Sequence, residues 1–122
     1  MAGSVTVTYS EHETIKYVQW DWTSDASGDV SGTATKVIAG VALRYATNPS
    51  STAPSANYDI TILDDDGIDI AAGGLANRHT SDSEQVLVGG DAKDGAAFFG
   101  TLNLVVANAG NTKIGKLVMY YR

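Results

Sequence analysis

The 122-residue chain contains no cysteine. Disulfide staples and thiolate metal sites are therefore excluded, and any core has to be held by packing alone. The only prolines, Pro49 and Pro54, fall in one stretch. No apolar run approaches the length of a membrane span. Met1 to Thr8 lacks a basic start followed by a continuous apolar segment, so no secretory signal is expected there and synthesis in a cytoplasm is. Positive charge is scarce: eight Lys and Arg stand against fourteen Asp and Glu, for a net charge of −6 and a pI near 4.5. That balance argues against nucleic acid and against an anionic membrane as partners, since both call for a basic face. Helix-favouring Glu, Lys, Arg, Met and Gln are also few.

What is abundant points to strands and turns. Val, Ile, Thr and Tyr suit a pleated, half-buried surface, and thirteen glycines with Asp and Asn suit the connections. The length fits one domain, 1–122, because either half alone would be too short to bury a core without staples. Val5, Val7 and Tyr9 alternate with polar residues and predict a first strand. Thr14 to Thr23 predicts a second, with Val18, Trp20 and Trp22 on one face and Ile15, Tyr17 and Gln19 on the other. Both faces are partly apolar, which suggests cover on both sides. Val30 to Ile38 reads as a small-residue edge strand bent at Gly32, which Val41 to Ala46 continues or follows. Thr47 to Asn57, with both prolines, is expected to be a loop that either crosses between two sheets or is exposed and functional, able to order on docking. Tyr58 to Ala71 reads as a β-hairpin turning at Asp65-Asp66-Gly67, with Ile60, Ile62, Ile68 and Ile70 on its apolar face. Leu75 to Arg78 is expected to form a helical turn and Glu84 to Val88 a short strand. Gly89 to Gly95 reads as a flexible loop, Phe98 to Asn108 as one strand, and Lys113 to Arg122 as the last. About eight short strands separated by turn clusters predict an all-β protein: a two-sheet antiparallel β-sandwich or a jelly-roll-like barrel.

Motifs with chemical meaning are weak. Gly110-Asn111-Thr112-Lys113-Ile114-Gly115-Lys116 imitates a phosphate loop, but Leu117 stands where Ser or Thr must hold magnesium and no helix can follow. Asp64-Asp65-Asp66-Gly67 departs from an EF-hand at Ile62 and Gly73, which leaves a looser calcium site at Asp64, Asp66 and Asp69 as an alternative to a solvated turn. His12 and His79 are the only histidines. His79, Ser81, Asp82 and Glu84 supply triad-like residue types crowded into one loop, without triad geometry. No catalytic residue, cofactor or metal ligand is assigned. Aromatic pairs are the better functional candidates. Trp20 and Trp22 form either core, a sugar-stacking platform or an interface anchor; Phe98 with Phe99 and Tyr120 with Tyr121 put neighbouring rings on opposite faces, so one of each pair is an interface candidate that needs a second layer or a partner.

Tyr58 to Ile70, Ala76-Asn77-Arg78, Ser83-Glu84-Gln85-Val86, Leu102 to Gly110 and Gly115 to Arg122 together resemble a family of small tailed-bacteriophage virion proteins, over about half of the chain. The resemblance implies assembly onto a virion as a non-enzymatic structural part, after synthesis in the host cytoplasm, and does not say which part; decoration or stabilisation of the capsid exterior is the leading expectation. Its partners would be the major capsid protein or another virion protein, and further copies of itself in a homo-oligomer. A tail or head–tail accessory role is the near alternative. A carbohydrate-binding module using Trp20 and Trp22 is the alternative from another class.

Overall fold

The alternation in Lys16–Thr23 decides the architecture. Val18, Trp20 and Trp22 are buried, whereas Tyr17, Gln19 and Asp21 between them are half-buried. One side of this strand faces a second layer and the other does not. A computed structural model describes residues 3–30, 34–87 and 96–122 of the chain. Among these residues eight strands run in the order β1 (Ser4–Ser10), β2 (Lys16–Thr23), β3 (Ile38–Pro49), β4 (Asp59–Leu63), β5 (Glu84–Leu87), β6 (Ala96–Gly100), β7 (Asn103–Ala107) and β8 (Ile114–Tyr121). They form two antiparallel sheets, a β-sandwich. The large sheet has six strands in the order β1-β2-β8-β3-β5, with β6 also on β3; the small sheet pairs β4 with β7. β5 lies against Thr47 to Arg44 and β6 against Ala42 to Ile38, so the two lie end to end along one edge of β3. Isolated bridges from Val30 to Val106 and from Ala34 to Asn103 widen the small sheet beside β7.

The core lies between the sheets. The large sheet contributes Val18, Trp20, Trp22, Ile38, Ala42, Tyr45, Phe98, Leu117, Met119 and Tyr121. From the small sheet and its connections come Val30, Tyr58, Ile60, Ile62, Leu75, Leu102, Leu104 and Val106. A bulge between Ala42 and Arg44 shifts the register of β3 on β8. It moves the buried set from Ile38 and Ala42 to Tyr45 and Thr47, so one long strand serves the same core through two parities. Trp22 sits opposite Gly115 on β8. A Cβ on Gly115 would overlap the indole, so only glycine lets the ring lie flat on the neighbouring strand. The Trp22 ring then meets Tyr58 from the other layer at 5.7 Å between centroids.

Several expectations need correction. Phe98 to Asn108 is not one strand: β6 ends at Gly100, which has φ +115, and the chain crosses through Thr101 and Leu102 into the small sheet as β7. Val30 and Ala34 make only isolated bridges, and Gly32, the expected bend, lies outside the described residues, as does Gly89 to Gly95. The return half of the hairpin is limited to a bridge between Leu63 and Asp69. Ile68 is 61% exposed rather than on an apolar face. Leu75 to Arg78 is not a helical turn: it runs from a turn at Leu75 through a bend into an isolated bridge between Arg78 and Tyr58, and Leu75 is fully buried. The proline stretch is part of β3 up to Pro49, and the rest crosses to β4 of the small sheet, as one of the two readings expected, but it is tied down: Ser55 N–H donates to the Ala109 carbonyl at 2.8 Å, Ile114 N–H donates to that of Thr52 at 3.0 Å, and Pro54 is buried.

Candidate interaction surface

The large sheet has a second face that no layer formed by the described residues covers. Register places its residues in rows. Tyr17, Tyr120 and Arg44 form the first; Gln19, Val118, Ala46 and Gln85 the second; Asp21, Lys116 and Asn48 the third. The middle row has small side chains at its centre, Val118 and Ala46, and longer ones on both flanks. The result is a groove of about 540 Å³ floored by those two residues. A second hollow of about 220 Å³ continues it past Lys116 and Asn48 to Pro49 and Ile114.

One wall is aromatic and cationic. Tyr17 and Tyr120 meet edge to face at 6.1 Å, and the Arg44 guanidinium lies 4.7 Å over the Tyr120 ring. This stack holds three long side chains in place and reduces the entropy they would lose on binding. On the opposite wall Gln19 Nε2 donates to Asp21 Oδ2 at 3.0 Å, and Ser83 Oγ donates to Asn48 Oδ1 at 3.1 Å. Among the described residues neither Arg44 nor Lys116 is in an ion pair. The Glu84 carboxylate is turned to the rim, where Oε1 accepts from His79 N–H at 2.7 Å and lies 3.8 Å from Arg78.

The six aromatic candidates separate by face. Trp20, Trp22, Phe98 and Tyr121 are all core residues, and only Tyr120 and Phe99 reach the surface. Phe99 is 75% exposed on β6 opposite Ala39. Trp20 and Trp22 do line up on one face, but it is the inner one, so they cannot form a sugar-stacking platform. Their indole nitrogens are buried and find no hydrogen-bond partner among the described residues. Burial raises the pKa of Tyr45, Tyr58 and Tyr121 above the ordinary value of 10.0.

The acidic turn is not a gathered site. Asp64 Oδ1 accepts from the amides of Asp66 and Ile68, and Asp69 uses both oxygens on the amides of Ile62, Ala71 and Gly73. These carboxylates cap their own backbone, and among the described residues no group of three or more His, Asp or Glu could hold a metal ion. His79 is similarly occupied. Its Nδ1 accepts from the amides of Ser81 and Asp82, so it is not free to take a proton from Ser81 Oγ at 3.5 Å. The phosphate-loop imitation is the turn into β8. Buried Ser24 locks it, donating from Oγ to the Gly110 carbonyl at 2.6 Å and accepting from Lys113 N–H at 2.8 Å.

Sequence reasoning missed Arg44, Lys116, Val118 and Ala46. Their signal was the off-phase half of the alternation: Lys116, Val118 and Tyr120 interleave with buried Leu117, Met119 and Tyr121.

No protein-family model matches the chain, and no curated protein matches it. Among solved structures, a cupin domain from Bordetella pertussis Tohama I is similar over 99% of this chain and 95% of that one, at 12% identity and a TM-score of 0.33.

Proposed function

We propose that this chain is a non-enzymatic structural protein of a bacteriophage virion, which decorates or stabilises the capsid exterior by seating the outer face of its large sheet on another virion protein. The observation that carries the reading is the groove of Tyr17, Tyr120, Arg44, Val118 and Ala46. Tyrosine and arginine are the residue types that concentrate binding energy at protein interfaces. A shallow, open face with mixed polar and aromatic walls suits a protein surface better than a small substrate, which needs enclosure. The virion setting rests on the sequence resemblance. Many copies on a regular lattice would let each contact be modest. The major capsid protein is the expected partner, and a tail or head–tail position is the variant within the same class.

The test compares particles carrying the native chain with particles carrying Arg44→Glu or Tyr120→Ala, and counts copies of the protein per particle. Occupancy is expected to fall about tenfold, the effect of losing one strong contact. Unchanged occupancy, or absence of the native chain from particles, would overturn the reading.

A further inference from the structure

We infer that two copies of this chain pair through β1, antiparallel about a two-fold axis, and join their large sheets into one continuous sheet. Strand β1 is the terminal strand of that sheet, and among the described residues β2 is the only strand paired with it; near its end Lys36, ion-paired with Glu11, donates its backbone N–H to the Tyr9 hydroxyl and lies over the Tyr9 ring. The outer side of β1 therefore presents a row of backbone N–H and C=O groups, the chemistry that recruits another strand.

Edge strands of proteins that stay apart carry a defence: proline, an inward charge, a bulge or brevity. β1 carries none of these. It is seven residues long with the composition SVTVTYS, free of charge and proline. Its pairing with β2 runs from Ser4↔Thr23 to Ser10↔Tyr17 without a register shift. In a molecule of net charge −6, this neutral strand is a place where two copies can approach without bringing like charges together. Val5, Val7 and Tyr9 remain only half-buried on its inner face, so a neighbouring strand has apolar surface to cover. On its outer face the hydroxyls of Ser4, Thr6, Thr8 and Ser10 would face the serine and threonine hydroxyls of the second copy, a favourable cross-strand combination.

The opposite edge explains why the assembly closes. There, among the described residues, β5 has four residues and β6 five, and they pair with separate stretches of β3, so the described edge is interrupted. A head-to-tail array would need β1 to match that broken edge. Pairing of β1 with itself needs no second surface and stops at two. This inference concerns the chain alone and does not depend on the virion reading.

The test is sedimentation of the purified full chain over a concentration series, alongside Thr6→Lys/Thr8→Lys, which sets lysines across the two-fold. The native chain, of 12.7 kDa, is expected to shift to twice that mass. The variant should keep its circular dichroism spectrum and weaken association by at least about tenfold, as four facing charges would. Hydrogen exchange is the second readout: amides of 4–10 should gain protection with concentration in the native chain. A native chain that stays monomeric, or a dimer whose β1 amides exchange freely, would overturn the inference. Arg44→Glu should leave the dimer intact, which separates this result from failure of the groove reading.

Discussion

On the inner face of the large sheet, Val18, Trp20 and Trp22 lie fully out of solvent against Leu117, Met119 and Tyr121. One residue along the same strands, Tyr17, Gln19 and Asp21 lie beside Tyr120, Val118 and Lys116 with no layer of the described residues above them. Both faces carry large aromatics, so hydrophobicity alone does not separate them. What separates them is the small sheet: β4, β7 and their flanking turns provide Ile60, Ile62, Leu104 and Val106 on one side only. Burial on the inner face makes stability, and the same alternation leaves the outer face free for recognition.

The comparison can be broken most severely from the inside. Trp22→Ala should cost about 3–5 kcal/mol, the range for a buried large aromatic, measured by denaturant unfolding. Gly115→Val attacks the same contact from the other strand. Its side chain would displace the indole and should cost about 1–3 kcal/mol, with a red shift in tryptophan emission. Ser24→Ala removes the hydroxyl that both donates to Gly110 and accepts from Lys113, and should cost about 1–3 kcal/mol because two backbone groups lose a partner. Alkaline pH probes the inner tyrosines. The Tyr45 pKa is raised by burial first and by Asp69 second, so above pH 10.0 the unfolded chain releases a proton that the folded one keeps. Stability should be unaffected below that pH and fall above it, by about 1 kcal/mol one unit higher, seen in unfolding midpoints on either side. The smallest effect lies outside. Arg44→Ala and Tyr120→Ala in a double-mutant cycle should reveal a coupling of only about 0.5–1 kcal/mol, while abolishing most partner binding.

Much of this contrast is readable in the sequence. Period-two alternation sorts Val18, Trp20 and Trp22 from Tyr17 and Gln19, and Leu117, Met119 and Tyr121 from Val118 and Tyr120. Alternation does not say which face a second layer will cover, so Trp20 and Trp22 kept a sugar-platform reading that their burial removes. The sheet switch at Gly100 was hidden because Phe98 to Asn108 is apolar for most of its length, and a change of layer leaves no gap in such a run. The bulge between Ala42 and Arg44 was equally silent, since Ala42, Leu43, Tyr45 and Ala46 offer apolar residues in either parity. Asp69 read as a possible ligand because its carboxylate was visible and its three backbone donors were not. The groove was missed because it is a property of three strands in register, and strand order is not written in local pattern.

The most direct measurement is cryo-electron microscopy of the particle that carries this protein. Density for the domain at regular sites on the shell, with Tyr17, Arg44 and Tyr120 against the neighbouring protein, is the expected result. Density that turns this face to solvent and docks through the small sheet, or no density at all, would contradict the assignment of recognition to the outer face.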